Sequence, residues 1–350
     1  MELAMGKVTL KDLASRLGVS TTLVSRVLNA PRREDGTPDC DISRETAARV
    51  LELARQMDYR PSRFAAGLRR GKRFLIGVIT PDISNYAFSE TGRIIEELAH
   101  RDGYCVMFGS SAESAARMGE LLDVFLGYEV DGIIVTPSVG CEDSLRRVVS
   151  KGVPLVLINR DVPALEGAGL VSLDNESSMH QVVDHLYARG YRKIEMISER
   201  MEVLSLRDRE KGYADRMRSY GLDPYIYMVD STQQESQVQE AVRSAFAKGT
   251  EALITPRIRL SLIALRTMRE SGIRIPEEMG IFCHDDNPAF LFHSPTISYV
   301  SQVSDQVGAR SYEMLKEMMA TGIPGGKVLI EPSLHFGGST SARPRGRKHE

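Results

Sequence analysis

The pattern of apolar positions changes character near residue 74. Before it, apolar residues recur in short helical blocks. Leu10, Leu13, Ala14 and Leu17 form one stripe, Val24, Val27 and Leu28 a second, and Ala47, Val50, Leu51 and Ala54 a third. These are the i, i+3, i+4 steps of amphipathic helices. Each block opens on a residue suited to cap a helix: Thr9 with Asp12 three positions on, Ser20, and Ser43. Such side chains accept from backbone N–H groups that a helix start leaves orphaned. Gly18 tolerates the left-handed turn that ends the first block. Three small helices sharing one core are predicted.

After residue 74 the apolar runs become continuous. FLIGVIT, YCVMFGS, DGIIVTP, VPLVLIN, LVSLD, KIEMIS, IYMVD, EALITP, MGIFCHD and ISYVS read as strands. Unbroken Val/Ile/Leu runs indicate strands covered on both faces. Helical stretches at 88–102, 114–127, 176–189, 207–220, 235–248 and 259–272 lie between them. Repeated strand–helix units imply an α/β fold with parallel sheets and right-handed crossovers. Roughly 275 residues is large for one sheet and suits two lobes. Ligands in such folds bind beyond the carboxyl ends of the strands.

The second helix has an unusual wet face. Thr22, Arg26 and Asn29 lie opposite its core stripe, and VSTTLVSRVLN holds no acid. One reading is a solvated helix that lacks acids. The other is a surface that hydrogen-bonds base edges and phosphates. Two short helices joined by a tight Gly-containing turn form a helix-turn-helix, whose second helix enters the major groove.

Charge sharpens this picture. The chain holds 45 Lys and Arg against 47 Asp and Glu, but residues 1–74 hold 15 against 9, a net of +6, and the rest 30 against 38, a net of −8. A basic small domain beside an acidic large one suggests that the first meets a polyanion.

VTLKDLASRLGVSTTLVSRVLN, followed by DYRPSRFAAGLRRGKRFLIGVITPDISN, resembles the LacI/GalR family of bacterial transcriptional regulators. The likeness runs nearly the full length. It continues in RDREKGY, where Arg209, Gly212 and Tyr213 fit the family's Arg-x-x-Gly-aromatic, in IFCHDD and in GGSTSARP. The resemblance implies a DNA-binding domain at 1–60, a hinge helix or linker at 61–73, a two-lobed type I periplasmic-binding-protein-like body at 74–340 for effector binding and dimerisation, and a basic tail at 341–350. It implies DNA contacts from Thr9, Ser20, Thr21, Thr22, Arg26 and Asn29.

The hinge PSRFAAGLRRGKR, with Arg60 before it, carries six basic residues and no acid. By itself it reads as a flexible basic linker, too short to be a stable helix alone in water. The resemblance implies that it folds on DNA beside its copy from a second subunit, with Arg63, Ala65 and Arg69 at the duplex and Leu68 wedged into the minor groove. Apolar wedges between base steps bend DNA in this way.

The resemblance also implies effector contacts from Phe88, Asp174, Ser205, Arg209, Arg257 and Asp285. Each has a plainer reading: Phe88 as core, Arg209 as a helix-start charge, either Asp as a cap. One departure concerns the ligand. The family commonly shows Asn-Asp after the strand matching EALITP, whereas this chain has Arg257 and Ile258. Arg presents a planar fork suited to carboxylate or phosphate. The expected effector is therefore a sugar or sugar derivative with an anionic group met by Arg257 and Arg209. The alternative is that Arg257 pairs with a local acid and the protein has lost its ligand. A second departure is the longer loop APRREDGTPDCD at 30–41, read as an exposed insertion, with Arg32 and Arg33 as candidate phosphate contacts.

Several classes find no motif. Cys40, Cys105, Cys141 and Cys283 are spread without a Cys-x-x-Cys pair, and no His-Glu-x-x-His helix, Walker A loop, Gly-x-Gly-x-x-Gly or nucleophile elbow occurs. No metal, cofactor or catalytic site is expected. With no signal peptide or membrane-length apolar run, the expectation is a cytoplasmic regulator, probed against two alternatives: a solute-binding protein, which needs export, and an α/β enzyme with Asp174 and Asp285 as paired carboxylates. The expected partners are double-stranded operator DNA, a carbohydrate-related effector and a second copy of the chain.

Overall fold

The structure is a computed structural model that describes residues 8–31, 33, 35–59 and 72–341. The expected contacts of Arg63, Ala65, Leu68 and Arg69, the loop residue Arg32 and the tail from residue 342 lie outside the described residues. The chain divides into two compact units that meet between Phe74 and Leu75.

The first unit contains α1 (Leu10–Leu17), α2 (Thr21–Asn29) and α3 (Arg44–Gln56). The predicted caps form. Thr9 and Asp12 make a capping box, Ser20 accepts from Leu23 N and Ser43 from Thr46 N. Gly18 adopts φ 67° and closes α1. The three stripes converge on one core of Leu13, Ala14, Val24, Val27, Ala47, Val50 and Ala54. Each fully buried Val or Leu contributes about 1.5–3 kcal/mol of transfer free energy. The 30–41 loop is more built than its composition suggested. Pro38 is buried, Cys40 packs on the core, and Arg33 forms an ion pair with Asp39 at 2.6 Å.

The second unit holds two six-stranded sheets. Lobe 1 contains β1 (Leu75–Thr80), β2 (Cys105–Ser110), β3 (Gly132–Val135), β4 (Leu155–Ile158), β5 (Gly169–Leu173) and β11 (Lys327–Ile330). Lobe 2 contains β6 (Ile194–Glu199), β7 (Tyr225–Val229), β8 (Ala252–Thr255), β9 (Gly280–His284), β10 (Ser298–Ser301) and β12 (Ser333–His335). The strand orders are β11-β5-β4-β3-β1-β2 and β12-β10-β9-β8-β6-β7. Central strands β3, β4, β8 and β9 are buried along their whole length, as continuous apolar runs require. The expected parallel sheets are present, and one edge strand departs from the pattern: β12 runs antiparallel to β10 in lobe 2. Neither β11 nor β12 was foreseen, because both are short edge strands with exposed positions.

Helices α4 (Tyr86–Arg101), α5 (Ala115–Gly127), α6 (Glu142–Ser150) and α12 (Ser304–Thr321) belong to lobe 1. Helices α7 (Asn175–Ala188), α8 (Leu204–Ser219), α9 (Gln234–Ala247), α10 (Ile258–Glu270) and the single turn α11 (Ala289–Phe292) belong to lobe 2. The chain therefore crosses between lobes three times: after β5, after β10 and after β11. Two crossings are tied together, since Asp174 N donates to Ile330 O at 2.9 Å. Among the described residues no helix is long and apolar enough to cross a membrane.

The motif residues have packing reasons. A Cβ on Gly212 would meet the Glu176 carbonyl oxygen at 2.5 Å, so α8 lies against α7 only with glycine there. The Tyr213 hydroxyl donates to Ile194 O at 2.8 Å in the core of lobe 2. In GGSTSARP, the Ser339 hydroxyl donates to Ile281 O, and the Thr340 hydroxyl shares hydrogen bonds with Ser298 and His185. That segment pins the chain end to lobe 2.

Candidate functional site

Two sites stand out, one in each unit. In the first, α2 is held by its Ser20 cap and by Val24 and Val27 in the core. Thr21, Thr22, Arg26 and Asn29 are all exposed, and no acidic side chain occurs on the helix. The Asn29 amide is already engaged, donating to Ser25 O at 2.8 Å and Ser25 Oγ at 3.2 Å. Thr9 and Ser20 likewise use their hydroxyls as caps at the starts of α1 and α2. Thr22 and Arg26 are the expected contact residues on the face that the helix itself does not occupy.

The second site is a cleft of about 280 Å³ between the lobes, lined from lobe 1 by Phe88, Glu113, Asn159 and Arg160 and from lobe 2 by Ser205, Arg209, Arg257, Asp285 and Gln302, among others. It lies beyond the carboxyl ends of the strands, as the general rule for such sheets requires. Of the six residues expected here, five line it. Asp174 does not. It caps α7, accepting from Ser177 N at 3.0 Å, at the first crossing between lobes. Its neighbour Asn175 reaches the site indirectly, taking a hydrogen bond from Arg209 Nε at 2.7 Å.

Arg209 and Asp285 form the buried back of lobe 2's wall. Arg209 also donates to Pro256 O, and its Nη1 lies 3.8 Å from Asp285 Oδ1. Burial lowers the Arg209 guanidinium to about 10, against the opposing pull of Asp285. Asp285 accepts from Ile258 N at 3.2 Å, from Gln302 Nε2, and lies 3.0 Å from His284 Nδ1. Burial alone would raise its carboxyl, but the bond to His284 and the charge of Arg209 hold it far below the usual carboxylate range. His284 is fully buried and pushed down to about 4, first by burial and then by Arg209. It is therefore neutral, with Nδ1 facing Asp285.

Arg257, expected to meet an anionic group of the effector, is already paired with acids of the protein. Its Nη1 is held by Glu199 and lies 3.2 Å from Met201 Sδ, and its Nη2 lies 3.4 Å from Glu113 Oε1. The local-acid alternative describes this conformation. Arg160 is paired as well, its two terminal nitrogens donating to Glu113 Oε2 at 2.7 Å and Oε1 at 2.8 Å. The cleft thus sets Arg160, Arg209 and Arg257 against Glu113, Glu199 and Asp285. Two acceptors stand apart: Asn159 Oδ1 and Gln302 Oε1 are buried without a hydrogen-bond partner.

Glu113, Asn159, Arg160, Glu199 and Gln302 were not anticipated. Asn159 and Arg160 directly follow β4 and Glu199 ends β6, so the rule about strand ends could have found these three. Glu113 gives no such signal. Three cleft residues other than glycine, Glu113, Asn159 and Asp285, have φ of 60°, 60° and 77°, a left-handed conformation that clusters at functional sites.

Similarity to known proteins covers both units. Residues 9–62 match the family described as bacterial regulatory proteins, lacI family, and residues 183–340 match the periplasmic binding protein-like domain. The chain is 28% identical over 344 residues to the HTH-type transcriptional regulator PtxS of Pseudomonas aeruginosa, covering 97% of each. It is 28% identical over 340 residues to the HTH-type transcriptional repressor CytR of Escherichia coli, covering 96% of this chain and 97% of that one. The fold superposes on the lac repressor dimer bound to operator and the anti-inducer ONPF with a TM-score of 0.81 at 22% identity, covering 96% and 99%. It also matches a periplasmic binding protein/LacI transcriptional regulator from Alkaliphilus metalliredigens complexed with D-xylulofuranose, at a TM-score of 0.69 and 22% identity, covering 76% and 98%. The chain therefore carries a lacI-family DNA-binding domain and a periplasmic binding protein-like domain, and the relatives it matches along nearly its whole length are transcriptional regulators.

Proposed function

We propose that the chain represses transcription by binding a pseudo-palindromic operator as a homodimer in the cytoplasm, and that a small molecule in the interlobe cleft alters its operator affinity. The observation that carries this reading is the exposed, acid-free face of α2, with Thr21, Thr22 and Arg26 on a helix fixed by its cap and core. Thr22 and Arg26 meet base edges. Thr9, Ser20 and Thr21, at helix starts, lie where phosphates bind. Two copies are required because each half-site takes one recognition helix. The names of CytR, a repressor, and of the lac repressor dimer on its operator support repression and pairing.

In this reading residues 1–60 read DNA, 61–73 couple the units and bend the duplex through Leu68, with Arg63, Ala65 and Arg69 beside it, and 74–340 bind the effector and pair. The effector is a polyhydroxylated, sugar-like molecule. Phe88 offers a ring for stacking, Ser205 a hydroxyl, and the buried oxygens of Asn159 and Gln302 accept from its hydroxyls. A ligand shifts operator affinity only by binding the two lobe arrangements unequally. The relatives' names are those of regulators, and no turnover is assigned.

Selection from random DNA by the full-length protein tests the reading. An enriched inverted repeat is expected, with its yield changed by the correct metabolite among neutral sugars, sugar acids and sugar phosphates. Absence of any symmetric preference would overturn it.

A further inference from the structure

Glu113 points into the cleft from a loop of unusual backbone. It sits on the loop between β2 and α5, and the loop adopts left-handed φ at two successive positions that are not glycine, 51° at Ala112 and 60° at Glu113. Such backbone persists only where its surroundings enforce it. Here Ala112 N donates to Pro81 O at 2.9 Å, and ion pairs hold the Glu113 side chain. The carboxylate pairs with both terminal nitrogens of Arg160 from its own lobe, at 2.7 and 2.8 Å, and its Oε1 lies 3.4 Å from Arg257 Nη2 across the cleft. Planar guanidinium forks match carboxylate and phosphate geometry, and the group they hold here is a carboxylate.

The charges make Glu113 indispensable unless something replaces it. Arg160 is 8% exposed, and the only other hydrogen bond of its side chain among the described residues runs from Nη1 to Pro137 O. Without Glu113 it would be a buried cation lacking a carboxylate, which is strongly unfavourable. Arg257 would keep Glu199. The vacancy would thus hold one uncompensated positive charge, faced by both terminal nitrogens of Arg160 from one lobe and by Nη2 of Arg257 from the other. Burial alone would raise the Glu113 carboxyl, but the bonds and charge of Arg160, with the charge of Arg257, hold it below its ordinary range. The glutamate is therefore ionised at neutral pH.

We propose that Arg160 and Arg257 form a carboxylate-binding subsite spanning the two lobes, and that Glu113 is its tethered occupant, which a ligand carboxylate replaces. The inference rests on the cleft being a ligand site and names the chemistry of one part of it. The exchange conserves charge, one carboxylate for another, so the bridge between lobes survives while the 110–114 loop is released. A neutral ligand leaves Glu113 in place.

Small carboxylates test this without knowledge of the effector or of the operator. Full-length Glu113→Gly removes the tethered carboxylate and suits the left-handed φ at that position. Glu113→Ala is the second variant. Acetate is titrated against each and against the parent protein, with chloride at matched ionic strength, and followed by thermal midpoint and by hydrogen exchange of the 110–114 amides. Acetate is expected to raise the midpoint of either variant saturably, with an apparent dissociation constant at least tenfold lower than for the parent. Adding Arg160→Gln to Glu113→Gly should abolish the response. Equal response of parent and variants, no response beyond that of chloride, or a response that survives loss of Arg160 would each overturn the subsite. Because no DNA enters the assay, its failure leaves the operator reading standing, and failure of the operator selection leaves the acetate result intact.

Discussion

The guanidinium of Arg209 lies 3.8 Å from the carboxylate of Asp285, and both side chains are nearly buried at the cleft wall. Two distant sequence motifs, RDREKGY and IFCHDD, meet in that pair. Arg209→Met leaves Asp285 a buried charge facing only neutral donors, and is expected to cost about 3–5 kcal/mol. Asp285→Asn in the same chain should recover part of that loss, with a coupling of about 1 kcal/mol or more. Urea unfolding of the two single variants and the double variant checks this. Strictly additive losses would show that the two groups do not act as a pair.

Gly212 sits one turn further along α8, against the backbone of Glu176. The atom a Cβ would strike there is backbone, which cannot swing aside. Gly212→Ala should cost about 1–3 kcal/mol, read as a lower thermal midpoint. An unchanged midpoint would mean that α7 and α8 part without resistance.

On α2, side-chain availability should rank the DNA contacts. Arg26→Ala and Thr22→Ala are expected to weaken binding to the selected operator by about 1–3 kcal/mol each, with a smaller effect on scrambled duplex. Asn29→Ala should cost less, since its amide donor is already held by Ser25. Titrations of both duplexes at one salt concentration decide the ranking. Equal losses on operator and scrambled DNA would assign these side chains to phosphates instead.

One buried and one half-buried histidine, His284 and His185, set an acid limit on stability. His284 and His185 are each pushed down to about 4, chiefly by burial. His185 packs between Phe336 and Phe282. The unfolded chain takes up these protons near pH 6.5, before the folded chain does. Stability from keeping the rings neutral is thus complete above about pH 6.5 and is lost as pH falls toward 4. Asp285 adds a further loss below that window, because its carboxyl is held low in the folded state. Thermal midpoints from pH 7.5 to 4 should fall, and His284→Gln should fall less steeply. An identical slope for the variant would remove His284 from the account.

The local structure was legible. Thr9 with Asp12, Ser20, Ser43 and Gly18 announce three helix ends, and every foreseen strand occurs in the foreseen order. Those features depend on neighbours within a few residues, and hydrogen bonding and periodicity there leave little choice. The edge strands β11 and β12 escaped because four or three half-exposed residues carry no clear pattern.

The sequence by itself determined which segments become helices, which become buried strands, and which helix offers an acid-free face. The tertiary structure alone decided the ionic arrangement of the cleft. Arg257 reads in sequence as an open cation, yet Glu199 and Glu113 meet it from two different lobes. Asp174 reads as a ligand contact, yet it caps α7 beside the cleft. A charged side chain's partner is set by proximity in space, and buried charges demand such partners. Spacing along the chain does not encode which acid will answer which arginine.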